Sequence, residues 1–327
     1  MSKANLTLYI DTSALEPIAH QGAGGRVKKL LKVHDAVATA SIQNLVEIWR
    51  MPDTGTTVTR SQLIRALLQV ARDHEAEPIA YRAVVAVVRQ LQSRHPDWVE
   101  PAPDLRAINK RRARQREVWA QLRADASYRP KGVQAYDSTL RGLVANSERV
   151  QKLRRRADRA GVLLPSPVND PTIAAKLQPL VEALPAPDAF WRQQTGAAWW
   201  LAMTRADPGV RDLFDWGRPY LALHRIDVEQ WMHFWLDEVD PTAIPITRVV
   251  GLMDYFQAEE KIDRGNWGDI NHSGFAIGRD YLITADRNFY QALCKTGSQP
   301  GVTIAKPVFI DRDALDIFHE IKSGLRW

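Results

Sequence analysis

The 327-residue sequence contains a single cysteine, Cys294, and no long hydrophobic run. One cysteine excludes an intramolecular disulfide and any zinc site that is built from several cysteines. The longest apolar run, residues 196–203, is too short for a membrane-spanning helix, which needs about 20 residues. The first residues also lack an apolar segment of secretory length. We therefore expect a cytoplasmic protein that does not span a membrane.

Positive charge is concentrated in the middle of the chain. The whole sequence carries a net charge of +6, whereas residues 106–159 hold 16 Lys or Arg against 5 Asp or Glu and so carry +11. A basic segment joined to a mildly acidic remainder is typical of a nucleic-acid-binding arm on a body that bears carboxylates, although a solvated helix surface is the alternative. The arginines that could contact phosphates are Arg111, Arg112, Arg114, Arg116, Arg154, Arg155 and Arg156.

The two ends of the chain have the pattern of a parallel α/β sheet. Short apolar or β-branched segments alternate there with helix-forming segments, and Ser41 is a suitable N-cap for one of the helices. The predicted strands cover residues 7–10, 35–40, 281–284 and 302–310, and the predicted helices cover residues 42–50, 247–261, 269–278, 287–295 and 313–325.

The middle of the chain has the periodicity of helices. Residues 61–158 are predicted to be helical throughout. Six tryptophans between residues 190 and 235 predict a packed helical core, with a base-stacking platform as the alternative. The simplest organisation is one discontinuous α/β domain, residues 1–52 and 242–327, which is interrupted by a helical insert over residues 53–241.

Four carboxylates occupy recurring places in this pattern. Asp11 and Asp286 each follow a predicted strand, Glu47 lies on the helix after the second strand, and Asp269 begins a predicted helix. The carboxyl ends of parallel strands meet at one edge of a sheet, so the four side chains are expected to converge. Clustered carboxylates repel one another unless a cation neutralises them. Oxygen ligands suit Mg²⁺ or Mn²⁺, the ions that assist phosphodiester hydrolysis.

Each carboxylate also has a simpler explanation. Asp11 could cap the turn after its strand, and Glu47 could be a solvated helix residue. Asp269 and Asp286 could serve only as helix N-caps. His272 could contact substrate or could be an ordinary surface histidine. Arg287 and Asn288, which lie near the predicted site at the sheet edge, are further candidates for substrate contact.

Four segments resemble the motifs of PIN-domain nucleases, in the order of that family. Residues 8–15, Leu-Tyr-Ile-Asp-Thr-Ser-Ala-Leu, resemble the first motif, an apolar strand followed by Asp-Thr-Ser. Residues 37–47 resemble the second, in which a strand and a polar cap lead to a helical Glu. Residues 268–276 resemble the third, an Asp that begins a helix rich in small residues. Residues 281–289 resemble the fourth, a strand followed by Thr-x-Asp-x-x-Phe.

The resemblance implies a PIN-like three-layer α/β/α fold with a central parallel sheet, interrupted here by a large all-α insert. It implies Mg²⁺- or Mn²⁺-dependent hydrolysis of nucleic acid, more often RNA than DNA. Typical members lack the insert, which could hold the nucleic acid or a protein partner or inhibitor. The alternative is a non-catalytic PIN-like scaffold whose basic insert binds these partners. The implied catalytic metal ligands are Asp11, Glu47, Asp269 and Asp286, and the residues implied to orient them are Ser13, Asn44 and Thr284.

Overall fold

The structure, a computed structural model, describes residues 6–51, 58–74, 79–130, 171–204, 215–257 and 264–325, together with Lys152. In chain order its strands and helices are β1 (Leu6–Ile10), α1 (Thr12–His20), α2 (Gly24–Val33), β2 (Ala36–Ala40), α3 (Ile42–Arg50), α4 (Arg60–Val70), β3 (Ala71–His74), α5 (Ile79–Arg94), α6 (Arg106–Ala124), α7 (Pro171–Glu182), α8 (Ala186–Thr204), α9 (Val228–His233), α10 (Pro245–Gln257), α11 (Arg264–Ser273), β4 (Tyr281–Thr284), α12 (Arg287–Gly297), β5 (Lys306–Phe309) and α13 (Ile317–Gly324). Shorter helical turns are the 3₁₀ segments Pro96–Trp98, Arg218–Tyr220, Leu223–Arg225 and Gly274–Ala276 and the π-helical turn Phe234–Glu238.

The chain divides into two compact units. The α/β unit comprises residues 1–78, 110–138 and 271–327, and the helical unit comprises residues 79–109 and 139–270. This division assigns α4 and β3, which follow residue 52, to the α/β unit. The reason is that α4 packs on α1 and α2, while β3 pairs with β2. It assigns α10, which follows residue 241, to the helical unit, where α10 packs on α8.

A five-stranded sheet in the order β3-β2-β1-β4-β5 forms the centre of the α/β unit, and all of its strand pairs are parallel. The predicted α/β class with a parallel sheet is therefore confirmed. From β1 the chain moves outwards to β2 and β3 and then crosses to β4 on the other side of β1. In sheets of this kind, ligands bind beyond the carboxyl ends of the strands at the point where the order reverses. Here that point lies between β1 and β4.

Local sequence accounts for the elements around this reversal point. β1 is rich in buried apolar side chains, and Leu8 and Ile10 pack in one core with Leu15 and Ile18 of α1. The predicted N-cap of α3 is confirmed, because the Ser41 side chain accepts a hydrogen bond from the Asn44 backbone N–H. The predicted strand over residues 281–284 is confirmed as β4.

Two predicted elements are wrong. β3 interrupts the region that was predicted to be helical throughout; its sequence, Ala-Arg-Asp-His, has no β-formers, and it is a strand because it pairs with β2. The helix that carries Asp269 begins at Arg264 and not at Asp269. Gly265 and Gly268, which precede the predicted start, both lie within α11. A helical glycine costs about 1 kcal/mol relative to alanine, which packing can outweigh.

The tryptophans of the helical unit form a packed core. Trp199, Trp231 and Trp235 are buried, and the ring centroid of Trp231 lies 6.1 Å from that of Trp199 and 6.0 Å from that of Trp235. Trp231 also donates a hydrogen bond from Nε1 to the carbonyl of Gly196 (2.8 Å). The prediction of a helical core is confirmed, and these buried rings offer no open face to a base. Among the described helices, none has the length and apolar character needed to cross a membrane.

Candidate metal centre

Asp11 follows β1 and is almost fully buried, with 2% of its surface exposed. Its side chain makes no capping bond to α1, so the helix-cap explanation does not hold for this residue. Its Oδ2 instead accepts hydrogen bonds from the hydroxyls of Ser13 and Thr284, the latter at 2.9 Å. These hydroxyls are held by backbone N–H groups, because Ser13 Oγ accepts from Ala285 (2.9 Å) and Thr284 Oγ1 accepts from Asp286 (3.0 Å). The network fixes Oδ2 of Asp11, and Oδ1 is left to face His272.

The other oxygen of Asp11 belongs to a cluster with Glu47 and His272. His272 Nε2 lies 3.3 Å from Asp11 Oδ1 and 2.9 Å from Glu47 Oε2. The second oxygen of Glu47 accepts a hydrogen bond from Gln43 Nε2 (3.1 Å). One ligand atom from each of Asp11, Glu47 and His272 lies within 4.8 Å of the other two. His272 is fully buried, and the side chain of Glu47, at 19% exposed, is the most accessible of the three.

The second ring nitrogen of His272 is also bonded. Its Nδ1 lies 2.5 Å from the hydroxyl of Tyr9, a buried residue of β1. The Tyr9 hydroxyl lies 2.7 Å from Ser41 Oγ and donates to Asn44 Oδ1 at 3.2 Å. Asn44 Nδ2 in turn donates to the carbonyl of Ile10 (3.0 Å). A buried polar chain therefore connects the imidazole to the capping box of α3.

The charges of the three groups shift one another's pKa values. Burial raises the pKa of Asp11 above its usual value, and the charge of Glu47 adds to that increase against the opposing effect of His272. Burial also acts to raise the pKa of Glu47, but the nearby His272 and hydrogen bonds from His272, Thr12 and Gln43 outweigh it and lower the pKa. Burial acts to lower the pKa of His272, but the two carboxylates outweigh it and raise the pKa. Glu47, the closer carboxylate, is thus the principal ionised partner of the imidazolium.

This donor set fits a divalent cation. A buried and a half-buried carboxylate in one cluster require positive charge nearby, which either an imidazolium or a metal ion supplies. Two carboxylate oxygens and one imidazole nitrogen form a mixed set: carboxylates suit Mg²⁺ and Mn²⁺, whereas imidazole suits transition metals. The cluster can therefore hold such an ion through Asp11, Glu47 and His272.

The structure gives Asp286 and Asp269 other contacts. Asp286 is the N-cap of α12, and its Oδ1 accepts from the backbone N–H groups of Asn288 (2.8 Å) and Phe289 (3.0 Å). Because β1 and β4 are parallel neighbours, Asp286 and Asp11 follow strands at the same sheet edge. Asp269 lies in the helical unit, within α11, where its Oδ2 accepts from Gln257 Nε2 (3.0 Å). Their function as metal ligands stays a prediction.

The orienting residues are placed differently from one another. Ser13 and Thr284 bond directly to Asp11, where the resemblance implied that they would act. Asn44 bonds to none of the three clustered side chains directly and acts through Tyr9 and Thr12, the latter accepting from Asn44 Nδ2 at 3.3 Å.

The predicted phosphate contacts that the structure describes are exposed or partly buried. Arg287 and Asn288 are exposed at the start of α12, and the Arg287 guanidinium lies 5.3 Å from the ring centre of Phe309. Of the arginines on α6, Arg114 and Arg116 are exposed, and Arg111 and Arg112 are partly buried. The remaining candidates lie outside the described residues: Arg154, Arg155 and Arg156.

Two residues of the site, His272 and Tyr9, were not predicted from the sequence to belong to the buried cluster. His272 was predicted to contact substrate or solvent, but it is buried between two carboxylates. The available signal was its presence in the third motif. Tyr9 was taken only as a residue of an apolar strand. The available signal was a tyrosine hydroxyl in an apolar strand, because a hydroxyl that such a strand buries needs a hydrogen-bond partner.

No protein-family model matches the chain, and comparisons with the curated proteins and with the solved structures gave no significant match.

Proposed function

We propose that the chain is a divalent-metal-dependent nuclease with a PIN-like three-layer fold, and that Asp11, Glu47 and His272 hold its metal ion. The observation that carries the proposal is the convergence of two carboxylates and an imidazole within 4.8 Å. The cluster includes the residue that follows β1, the strand at which the order of the parallel sheet reverses. Ligands of α/β proteins bind at that place.

The surrounding residues would hold the ligands in a fixed orientation. Ser13 and Thr284 both donate to Oδ2 of Asp11, which leaves Oδ1 facing the cluster. Gln43 holds one oxygen of Glu47 in the same way. Such outer hydrogen bonds commonly set the affinity of a metal site. Bound here, a divalent cation would supply a Lewis acid that polarises a phosphodiester and activates water for its hydrolysis.

The substrate class follows from charge and from the resemblance to PIN domains. Exposed arginines on α6 offer phosphate contacts that do not depend on base sequence. Arg287 and Asn288 begin α12, directly after β4, and offer further polar groups near its carboxyl end. We propose a nucleic-acid substrate, with RNA favoured over DNA by the resemblance alone.

Cleavage of labelled RNA and single-stranded DNA by the purified full chain, in Mn²⁺, in Mg²⁺ and in excess EDTA, tests the proposal. We expect cleavage with a divalent ion and none in EDTA. Asp11→Asn and Glu47→Gln should each abolish it, because each removes a negative ligand. Asp313→Asn is the matched control, because it replaces an exposed carboxylate in the loop before α13 by the same carboxamide; it should cleave as the wild type does. Activity of the Asp11 and Glu47 variants equal to the wild type would refute the proposal.

Thermal unfolding with metal separates a catalytic site from a structural cluster. An ion that binds only the folded state stabilises it, by about 2.7 kcal/mol at a concentration 100 times its Kd. We expect Mn²⁺ to raise the Tm of the wild type and of Asp313→Asn, but not of Asp11→Asn. The second candidate is a non-catalytic scaffold, favoured by the fact that His272 can balance the carboxylates without an ion. It predicts no Mn²⁺ effect on any variant and no cleavage.

A further inference from the structure

The identity of the ion depends on whether Nε2 of His272, the nitrogen that faces the carboxylates, can act as a ligand. The proposed function names His272 among the metal ligands but does not say what holds its ring in the tautomer that can bind a metal, or which ion such a ligand favours. We propose, building on that function, that Tyr9 is a positioning residue that makes His272 Nε2 a metal ligand, so that the site prefers a transition-metal ion such as Mn²⁺ over Mg²⁺.

The orientation of the Asn44 amide is set by its neighbours. Its Nδ2 donates to the carbonyl of Ile10 (3.0 Å) and to Thr12 Oγ1 (3.3 Å), and its Oδ1 accepts from the backbone N–H of Ser41 (2.9 Å). A carbonyl oxygen can only accept. Asn44 Oδ1 is therefore available to receive the proton of the Tyr9 hydroxyl at 3.2 Å, either directly or through Ser41 Oγ.

With its proton directed to Asn44 or Ser41, the Tyr9 oxygen accepts from His272. The partner is Nδ1, at 2.5 Å, which must then carry a hydrogen. In the neutral ring the hydrogen on Nδ1 leaves a lone pair on Nε2. That lone pair is directed at the space between Asp11 Oδ1 and Glu47 Oε2. In the metal-free imidazolium Nε2 also carries a proton, which pairs with the carboxylates; an ion that displaces this proton meets three electron-pair donors.

Packing keeps the tyrosine in place for this function. The ring of Tyr9 stacks on that of Phe275, with centroids 4.8 Å apart and planes 8° apart. The ring of His272 lies 6.4 Å from that of Phe289. Tyr9 and His272 are both fully buried. The hydroxyl therefore has little freedom to move away from Nδ1.

An imidazole ligand changes the preference among metals. Carboxylates alone suit Mg²⁺, whereas an imidazole nitrogen suits the first-row transition metals, whose affinities for such sites exceed that of Mg²⁺. Removal of a hydrogen-bond partner of a metal-bound histidine typically reduces metal affinity about 10- to 100-fold. Loss of the Tyr9 hydroxyl should thus reduce the affinity for Mn²⁺ more than the affinity for Mg²⁺, because the oxygen ligands remain.

The experiment compares the metal affinities of four full-length proteins: the wild type, Tyr9→Phe, His272→Gln and Tyr281→Phe. Tyr281→Phe is the matched control, since it removes a tyrosine hydroxyl from β4 of the same sheet. Kd values for Mn²⁺ and Mg²⁺ are measured by calorimetry, and circular dichroism checks that each variant is folded. A second readout is the proton NMR spectrum with Co²⁺, in which a bound histidine gives a strongly shifted, exchangeable Nδ1–H signal.

We expect the wild type and Tyr281→Phe to bind Mn²⁺ more tightly than Mg²⁺ and to show the Co²⁺-shifted signal. Tyr9→Phe should lose about 10- to 100-fold in Mn²⁺ affinity, and its signal should exchange faster. His272→Gln should lack the signal. An unchanged Mn²⁺-to-Mg²⁺ affinity ratio in both variants, or a wild type without the signal, overturns the inference. If the wild type lacks the signal but still cleaves nucleic acid with a divalent ion, the inference about Tyr9 fails and the proposed nuclease function stands. If the wild type binds no metal at all, the inference and the proposed function both fail. If Tyr9→Phe does not fold, the wild-type signal and His272→Gln decide the outcome.

Discussion

Replacing Thr284 by valine should weaken both the fold and the metal site. Thr284 is fully buried, and its hydroxyl donates to Asp11 Oδ2 at 2.9 Å and accepts from the Asp286 N–H at 3.0 Å. Valine has nearly the same shape, so the loss is that of the hydroxyl and not of packing. A hydrogen bond to a charged group contributes about 1.5–3 kcal/mol, and an unsatisfied buried N–H costs about 1–3 kcal/mol. Because Ser13 still donates to Asp11, we expect a total near the lower end, about 3 kcal/mol.

The assay for Thr284→Val is urea unfolding of the metal-free protein, followed by a Mn²⁺ titration. Metal affinity should fall about 10- to 100-fold, because one of the two donors that orient Asp11 is gone. Thr284→Ser is the matched control: it keeps the hydroxyl and should keep the metal affinity, while losing about 0.8 kcal/mol for one buried methyl group. Equal stability and equal Mn²⁺ affinity of the valine and serine variants would show that the Thr284 hydroxyl does not orient Asp11.

Two further predictions concern packing and charge. A Cβ on Gly251 would lie 2.6 Å from the Cβ of buried Trp191, so Gly251→Ala should destabilise the helical unit by about 1–3 kcal/mol in thermal unfolding. A Cβ on Gly25 would meet open space, so the control Gly25→Ala should be neutral or stabilising. Equal effects of the two substitutions would contradict this prediction. In EDTA, burial acts to lower the pKa of His272, but the carboxylates raise it overall, so imidazolium stabilisation is complete below the unfolded pKa of about 6.5 and is lost as pH rises through the higher folded value. Urea unfolding should therefore show stability falling above neutral pH in the wild type and a flatter profile in His272→Gln.

Local signals in the sequence were sufficient to predict the two ends of the fold. The apolar run of β1, the Ser41 cap of α3 and the strand–cap–helix sequence around Asp286 each form the predicted element, because short-range interactions determine them. β3 was not predictable in this way. Its residues have weak strand propensity, and only the pairing with β2, distant in sequence, makes it a strand.

The candidate site could be predicted only in part, because some of its residues are placed by local sequence and others by long-range packing. Asp11 and Glu47 could be predicted because each lies at a fixed offset from a predictable strand or helix. His272 could not be assigned as a cluster member, since its burial between carboxylates depends on the exact rotation of α11, whose start was misjudged. Tyr9 lies in an apolar strand, and alternation along the strand does not reveal that its hydroxyl reaches a residue 263 positions away.

Asp286 shows how one side chain can satisfy two explanations, and a pair of substitutions separates them. Its Oδ1 caps α12 through two backbone N–H groups, so Asp286→Ala should cost about 1 kcal/mol, whereas asparagine caps a helix about as well as aspartate. Asp286→Asn should thus unfold like the wild type. We nevertheless expect it to lose most of its cleavage, because a second negative charge at the sheet edge of Asp11 would help to hold the cation. Urea unfolding and RNA cleavage measured on both variants test this. If Asp286→Asn cleaves at the wild-type rate, Asp286 is a helix cap and nothing more, and the metal depends on Asp11, Glu47 and His272.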